Sequence, residues 1–455
     1  MAVGFDYGTS NCAMASVQND IAQLIPLTGD NCFIPSTLYA LERTFIADAI
    51  WQNLPEGAEK IAYARSRAAS LNQARAGKIE HSINQVSEGL FFGYDAIQHY
   101  IAAPQEGYFI KSAKSFLGAS GLRQQSVDFF EDVVAAMMLN VKNRAEKFLD
   151  EEITQVVIGR PVNFQGIDAQ ASNQQAQSIL LAAGKRVGFS DIEFLYEPLA
   201  AGFDFETRLT NDKRVLVVDI GGGTTDCSMV MMGPTHIKQL DRTQDFLGHT
   251  GERIGGNDFD IQFAQKLIMP EFGMLSPLVN DLPMPVMPFV NAMAINDLSA
   301  QTDFYDAKTD YLLEKLILET TEPNLLSRFI DMRGGKHNFA IVREAENGKI
   351  GLSSQENHQV NLNFIEENLR PIYNDRQFAE ISAQLLSKIS DLIIECTKQA
   401  SVQPDIVYIT GRSAKSPLIQ KVIRNLFGEK IEVVDGDHFG SVAAGLGVWA
   451  KRIFG

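Results

Sequence analysis

The stretch RVLVVDIGGGTTDCSMV, residues 214–230, decides the fold. Its first part is apolar from Val215 to Ile220 except for Asp219, which predicts a strand that is buried on both faces of a sheet. Glycines and threonines follow, and the apolar pattern resumes after Asp226. Glycines expose backbone N–H groups and accept positive φ, so such a turn can close around an anion. The stretch therefore predicts a β-hairpin whose tip carries carboxylates beside a phosphate-sized cradle, an arrangement that requires a cation between them.

A second stretch repeats this order near the N-terminus. Residues 3–15, VGFDYGTSNCAMA, place Asp6 at the end of an apolar strand, followed by Gly8, a polar tip and a returning strand. On its own, an aspartate–glycine turn is more often an ordinary hairpin than a phosphate site. Two copies in one chain change that balance, because internal similarity usually marks duplicated structural units. The sequence therefore predicts two related lobes that face one ligand.

Composition excludes several classes of partner. The chain has 455 residues, 45% of them hydrophobic, and a formal net charge of −16 without an obvious basic run. This balance argues against nucleic acid or an anionic membrane as a partner. The sequence has no apolar run of transmembrane length and begins with a strand, so we expect a cytoplasmic protein without a signal peptide. The cysteines lack C-x-x-C spacing, and we expect Cys12, Cys32, Cys227 and Cys396 to be reduced core residues.

The rest of the chain alternates strands with helices. Buried strands are predicted within residues 153–160, 192–195 and 406–409. Helices rich in small residues begin near Pro198 and near Ser441. A pair of such helices, one in each lobe, suits a hinge between the lobes.

Taken in order, these motifs resemble the nucleotide-binding region of the DnaK-type heat-shock chaperones, within the superfamily of actin and sugar kinases. Besides the two hairpins, the likeness is carried by SAKSFLG (112–118), by EPLAAGF (197–203) and by residues 407–417. Within the family, the closest likeness is to the YegD-type members, which stop after the nucleotide-binding region. The resemblance implies a two-lobed actin-like ATPase fold, an α/β fold of duplicated ribonuclease H-like domains with inserted subdomains.

The implied domain organisation follows the two hairpins. Lobe I is expected at residues 1–212, with its core at about 1–38 and 108–212 and an inserted subdomain at about 39–107. Lobe II is expected at residues 213–455, with its core at about 213–254 and 374–455 and an inserted subdomain at about 255–373.

The resemblance also implies roles for individual residues. Asp6 and Asp219 would hold the waters around Mg²⁺, and Glu197 would reach the same ion through water. Asp226 would add a ligand for a monovalent cation such as K⁺. A lysine beside aromatic residues is usually a solvated surface charge, but the resemblance gives Lys114 the role of stabilising the γ-phosphate and orienting the attacking water. The implied catalytic group is Lys114, Glu197, Asp219 and Thr224.

The implied contacts to ATP or ADP fall into two sets. The phosphate set comprises Gly8, Thr9, Ser10, Asn11, Gly221, Gly222, Gly223 and Thr224. The second set, largely on the adenosine side, comprises Gly255, Gly256, Glu346, Lys349, Ile350, Gly411, Arg412, Ser413 and Lys415.

The chain departs from the family pattern at several positions. The family's peptide-binding domain would follow the last helix, whereas this sequence ends at Gly455, so we expect that domain to be missing. Arg412 stands where the adenosine turn usually has a glycine. Ile350 and Lys415 stand where two arginines usually hold the adenine, so we expect a looser site unless Arg412 covers the base. Phe439 and Gly440 stand where an acidic pair is usual.

These expectations favour one function and leave two others open. The favoured function is an ATP-binding, slowly hydrolysing, monomeric DnaK-like protein with a chaperone-related or regulatory role. Its partners would be nucleotide and protein clients or co-chaperones. A small-molecule kinase of the same superfamily is an alternative, although no catalytic base for an acceptor is evident. An actin-like filament protein is the other alternative, for which the acidic surface and the bulky insertions are unfavourable. Fold-level likeness does not name a client or a pathway.

Overall fold

The computed structural model describes residues 1–19, 21–103, 106–164, 168–239, 241–428, 431–436 and 440–455, and Phe439 lies outside these ranges. The strands are β1 (Ala2–Tyr7), β2 (Asn11–Gln18), β3 (Ile21–Leu24), β4 (Ile34–Pro35), β5 (Thr37–Ala40), β6 (Leu90–Phe92), β7 (Tyr108–Lys111), β8 (Gln155–Arg160), β9 (Asp191–Tyr196), β10 (Lys213–Ile220), β11 (Thr225–Met232), β12 (Phe246–Glu252), β13 (Asn357–Gln359), β14 (Ile372–Asn374), β15 (Ile406–Thr410) and β16 (Glu432–Asp435). The helices are α1 (Phe45–Asn53), α2 (Ala58–Ser66), α3 (Ala68–Glu80), α4 (Tyr94–Ala102), α5 (Gln124–Leu149), α6 (Ala169–Arg186), α7 (Glu197–Glu206), α8 (Gly256–Phe263), α9 (Met287–Met293), α10 (Leu298–Phe304), α11 (Ala307–Glu319), α12 (Pro323–Gly334), α13 (Asn338–Leu352), α14 (Asp375–Ala400), α15 (Pro417–Phe427) and α16 (Ser441–Phe454). Short 3₁₀ helices span Ala113–Phe116 and Arg412–Lys415.

The chain folds into two compact units. The first comprises Met1–Arg253, Ser390–Lys415 and Ile423–Gly455 and contains both large sheets. The second comprises Ile254–Ile389 and Ser416–Val422 and is mainly helical. Its core includes Phe289 and Phe329, both fully buried, whose ring centroids lie 4.1 Å apart. Within the described ranges, no helix combines the length and the apolar character needed to span a membrane.

The first large sheet has the strand order β3-β2-β1-β8-β9, and β4 also pairs with β2. Strands β1 and β2 form an antiparallel hairpin, whereas β8 and β9 run parallel to β1. The register pairs Asp6 with Ala13 and Tyr7 with Cys12, which leaves residues 8–11 as the hairpin tip. We call these four residues the first tip.

The second large sheet repeats this topology, with the order β12-β11-β10-β15-β16. Strands β10 and β11 form the hairpin, and β15 and β16 continue in parallel. Asp219 pairs with Asp226 and Ile220 with Thr225, which leaves residues 221–224 as the second tip. Residues 215–218 are fully buried, as predicted for a strand covered on both faces. The matching topologies bear out the predicted duplicated α/β fold.

Two helices with small residues, α7 and α16, pack directly against each other. A Cβ atom at Gly445 would lie 1.8 Å from the carbonyl oxygen of Ala200, so only glycine permits this approach of the two backbones. Leu199, Phe203 and Leu446 share one buried cluster with residues of β10 and β15. The two helices predicted from their small residues are therefore neighbours, while the hinge motion stays a prediction.

The cysteine prediction is wrong at one position. Cys12, Cys227 and Cys396 are buried free thiols, as expected. Cys32 is partly exposed, because it lies in the loop between β3 and β4 rather than within a strand of the sheet. A small apolar residue type alone does not fix burial in a loop.

Candidate functional site

Both hairpin tips line one cavity of about 230 Å³ in the first unit. The predicted site residues that line it are Asp6, Gly8, Thr9, Ser10, Asn11, Glu197, Asp219, Gly221, Gly222, Thr224, Gly411 and Arg412. The lining also includes residues that were not among the predicted site residues, namely Asn31, Phe33, Tyr94, Thr410, Gly440, Ser441 and Val442.

The tips reach the cavity because each hairpin lies beside a parallel strand in its sheet. Ligands of open α/β sheets bind at the carboxyl ends of such strands, which is where both tips lie. The second tip is closed by the Gly221 N–H, which donates to the Thr224 carbonyl at 2.9 Å. Ser413 Oγ donates to the Gly221 carbonyl at 2.8 Å, so the turn after β15 is fastened to the second tip.

Gly411 allows this turn to approach the carboxylates. Its φ of +87° lies in the left-handed region, and a Cβ there would be 2.4 Å from Asp219 Oδ1. A side chain would therefore be both strained and in collision with a predicted Mg²⁺-site residue. The wall of the cavity at this point consists of backbone.

The buried carboxyls in and beside the cavity are held at an electrostatic cost. Burial, with the nearby Glu197, raises the pKa of Asp6 to about 7, and the same two causes raise the pKa of Asp226 to about 7. Burial and the charges of Glu197, Asp226 and Asp6 raise the pKa of Asp219 well above its ordinary value. Clustered buried carboxylates with raised pKa values are typical of functional sites, and a bound cation would relieve their repulsion.

Lys114 lies in the 3₁₀ helix Ala113–Phe116, and its Nζ pairs with Glu197 Oε1. The side chain is only 6% exposed, so the interpretation of Lys114 as a surface charge is wrong. Burial lowers its pKa, but Glu197 and Asp6 outweigh that effect and raise it. The lysine therefore stays protonated beside the carboxylates and supplies a fixed positive charge.

Asp226 and Gly223 do not line the cavity but support its wall. Asp226 is 2% exposed and accepts a hydrogen bond from the Val162 N–H at 2.8 Å. The Thr224 side chain bonds to the same carboxylate. A Cβ at Gly223 would lie 2.7 Å from Thr9 Cγ2, so the two tips pack against each other.

Over the ranges that the structure describes, no three or more His, Cys, Asp or Glu side chains stand close enough to ligate one metal ion together. The arrangement that the resemblance implies, in which Asp6, Asp219 and Glu197 hold water molecules around Mg²⁺, stays a prediction. Hard cations such as Mg²⁺ commonly keep several waters when they bind.

The predicted adenosine residues are divided between the two units. Gly411, Arg412, Ser413 and Lys415 belong to the first unit, and the side chains of Arg412 and Lys415 are exposed. In the second unit lie Gly255, Gly256, Glu346, Lys349 and Ile350.

Within the second unit, several of these residues already have structural partners. The Gly255 N–H donates to Asp258 Oδ2 at 2.8 Å and so caps α8. Lys349 Nζ lies 2.7 Å from Asp260 Oδ1 and donates to the Gly256 carbonyl at 3.1 Å. Ile350 is 56% exposed. The roles of this group toward a nucleotide stay predictions.

The sequence reasoning missed a pair of hydroxyls in the wall of the cavity. Thr410 and Ser441 are buried, and their Oγ1 and Oγ atoms lie 2.7 Å apart. The sequence contained a signal for both, because Thr410 ends an apolar strand and Ser441 begins a helix. No pattern pointed to Phe33 or Tyr94, which reach the cavity from distant segments.

Comparison with known proteins agrees with the predicted family. Residues 119–274 and 310–452 match the family described as Hsp70 protein, so the match includes the second hairpin but not the first. A protein named chaperone protein dnaK, from Emiliania huxleyi, is 25% identical over 310 residues. Those residues are 66% of this chain but 39% of that protein, so the chain corresponds to less than half of its relative.

These matches confirm the DnaK-type resemblance and the actin-like ATPase fold, while the YegD-type detail stays a prediction. The ranges matched by the Hsp70 family extend over more than half of the sequence. The chain therefore belongs to the Hsp70 family.

Proposed function

We propose that this chain binds ATP or ADP together with Mg²⁺ and hydrolyses ATP slowly, in a chaperone-related or regulatory role. The observation that carries the proposal is the single cavity lined by both glycine-containing tips and by Asp6, Glu197 and Asp219. Membership of the Hsp70 family and a relative named as a chaperone support the same function.

The tips are suited to hold phosphates. Residues of both tips line the cavity, and they offer backbone N–H groups and the hydroxyls of Thr9, Ser10 and Thr224. Such groups bind anions without a charged side chain, because several backbone dipoles converge on one point. The chemistry that Mg²⁺ supplies when bound is compensation of phosphate and carboxylate charge, and Asp6, Asp219 and Glu197 would hold its waters.

Lys114 is the residue that would favour the transition state. Its ammonium group is buried, protonated and held by Glu197. Phosphoryl transfer depends mainly on positioning and on the stabilisation of charge, so a fixed cation beside the phosphates would accelerate hydrolysis. Thr224, whose hydroxyl faces Asp226, would keep the second tip in place.

Asp226 is the proposed ligand for K⁺, which would neutralise this buried carboxylate. Protein clients or co-chaperones are the proposed partners besides nucleotide, and we propose a cytoplasmic monomer.

The test compares Lys114→Ala with the parent protein in single-turnover ATP hydrolysis with Mg²⁺. We expect hydrolysis to fall by about ten-fold or more while ADP affinity changes little, because the lysine acts on the transition state. Lys142→Ala is the matched control, since Lys142 is also buried and paired, with Glu146 Oε1 at 2.7 Å. Equal hydrolysis rates in the parent and the Lys114 variant would remove this lysine from the mechanism.

A further inference from the structure

Ser36 lies where the chain passes from one sheet of the first unit to another. It follows β4, which pairs with β2 beside the first tip, and precedes β5, which pairs with β7. Strand β7 ends at Lys111, shortly before the segment that carries Lys114. Ser36 is only 2% exposed, so its polar groups must find partners within the protein.

Two of its polar groups bond to the first tip. Ser36 Oγ donates to the Gly8 carbonyl at 2.6 Å, and the Ser36 N–H donates to the Ser10 carbonyl at 2.9 Å. Cys12 Sγ, directly after the tip, lies 3.4 Å from the same hydroxyl. Ser36 therefore holds the first tip at two positions, Gly8 and Ser10.

The third polar group bonds to the lysine segment. The Ser36 carbonyl accepts a hydrogen bond from the Ser112 N–H at 3.0 Å. Ser112 has a φ of +59°, a left-handed conformation that is costly for a non-glycine residue and needs support from its surroundings. Ser112 immediately precedes the 3₁₀ helix of Lys114, so its backbone conformation sets where that helix begins.

We infer that Ser36 is a positioning residue, which fixes Lys114 relative to the phosphate-binding first tip. This inference rests on the proposed function, because it concerns the reaction in which Lys114 takes part. Ser36 does not line the cavity, so it acts through Gly8, Ser10 and Ser112. Small displacements of a charged group reduce its effect on a transition state more than they reduce ligand binding.

The experiment starts with Ser36→Ala, which removes the bond to Gly8 and keeps both backbone bonds. At saturating Mg-ATP, we expect single-turnover hydrolysis to fall about ten-fold with a change of less than about three-fold in ADP affinity, a loss expressed in the transition state. Ser228→Ala is the control, since Ser228 is fully buried and its Oγ has no partner among the described residues. This control should hydrolyse ATP at the parental rate.

A double-mutant cycle with Lys114→Ala separates positioning from general weakening. If Ser36 acts through the lysine, Ser36→Ala should slow the parent but should not slow the Lys114→Ala protein further. Additive losses in the double variant would overturn the inference, because they would show that Ser36 acts independently of Lys114.

The two variants distinguish failure of the proposed function from failure of this inference. A Lys114→Ala protein that hydrolyses ATP normally would contradict the proposed function, and with it this inference. A slow Lys114→Ala protein together with a normal Ser36→Ala protein would overturn the inference alone.

If Ser36→Ala does not fold, Ser36→Cys keeps a weak donor of similar size, and we expect its hydrolysis to lie between the parental rate and the ten-fold loss. A parental rate in Ser36→Cys would then overturn the role of the bond.

Discussion

Asp219 is a buried carboxyl whose pKa is raised well above its ordinary value, first by burial and then by the charges of Glu197, Asp226 and Asp6. A cation and its waters would reverse this penalty, and a nucleotide bound with the cation would stabilise the folded state by mass action. The electrostatics of Asp219 therefore predict how the protein's stability responds to a nucleotide bound with Mg²⁺.

The first prediction is that Asp219→Ala removes most of the rise in melting temperature caused by Mg-ADP. For the parent, a nucleotide concentration of 100 times the Kd should add about 2.7 kcal/mol to the free energy of unfolding. Differential scanning fluorimetry with and without ligand measures this. Asp405→Asn is the control, because Asp405 pairs with Arg214 near the surface and does not line the cavity. A variant at Asp219 that shifts as strongly as the parent would contradict the assignment.

The second prediction concerns Arg412, whose side chain lines the cavity where the family usually has glycine. If its guanidinium stacks on the base, Arg412→Gly should weaken ADP binding by about 0.5 to 2 kcal/mol, the value of a cation–π contact. Arg412→Lys should restore little of this, because an ammonium group is not planar. Isothermal calorimetry measures both variants.

Inorganic pyrophosphate provides the internal control for Arg412, because it lacks the base. Its affinity should be the same in the parent and in Arg412→Gly. Equal loss of affinity for ADP and for pyrophosphate would show that Arg412 acts on the phosphates, and unchanged ADP affinity would remove it from the site.

At the scale of elements, the sequence predicted what depends on local pattern. The hairpin over residues 214–230 was predictable because apolar residues, glycines and polar tips follow one another at the spacing of strand, turn and strand. The convergence of the two tips followed from their repetition. Long-range hydrogen bonds were not predictable, because the residues around Ser36 in the sequence do not indicate that it pairs with Gly8 and Ser112. The burial of Lys114 likewise depends on Glu197, which lies 83 residues away.

The third prediction tests the contact between α7 and α16. Gly445→Ala should lower the free energy of unfolding by about 1 to 3 kcal/mol, the usual cost of overpacking, because its Cβ would meet the Ala200 carbonyl at 1.8 Å. Urea denaturation followed by circular dichroism measures the change. Gly334→Ala is the matched control, since Gly334 ends α12 and a Cβ there meets nothing within 4 Å. That control should be neutral or slightly stabilised, because alanine favours helix.

At the scale of the whole molecule, the distribution of carboxyl groups determines how stability depends on pH. The chain carries a net charge of −16, yet the carboxyls of Asp6 and Asp226 are held inside the protein with pKa values of about 7. Asp405, near the surface, behaves in the opposite way, because hydrogen bonds from Arg214 lower its pKa to about 2. The buried carboxyls of Asp6 and Asp226 therefore titrate in a different pH range from Asp405.

The last prediction is that the free energy of unfolding of the nucleotide-free protein, measured in EDTA, falls as pH rises from about 4 to about 7. In the unfolded chain, Asp6 and Asp226 lose their protons near their ordinary pKa of 3.8, whereas in the folded protein they keep them until about pH 7. Between these values the folded state binds more protons, so raising the pH favours unfolding, by at most about 1.4 kcal/mol per pH unit for each carboxyl.

Urea titrations at pH 5, 6, 7 and 8 measure the slope, which should flatten in Asp226→Asn. Asp405→Asn is the control, and it should keep the parental slope above pH 5, because Asp405 titrates at about 2 in the folded state. A slope that is the same in the parent and in Asp226→Asn would show that this carboxyl is already ionised in the folded protein without a cation beside it.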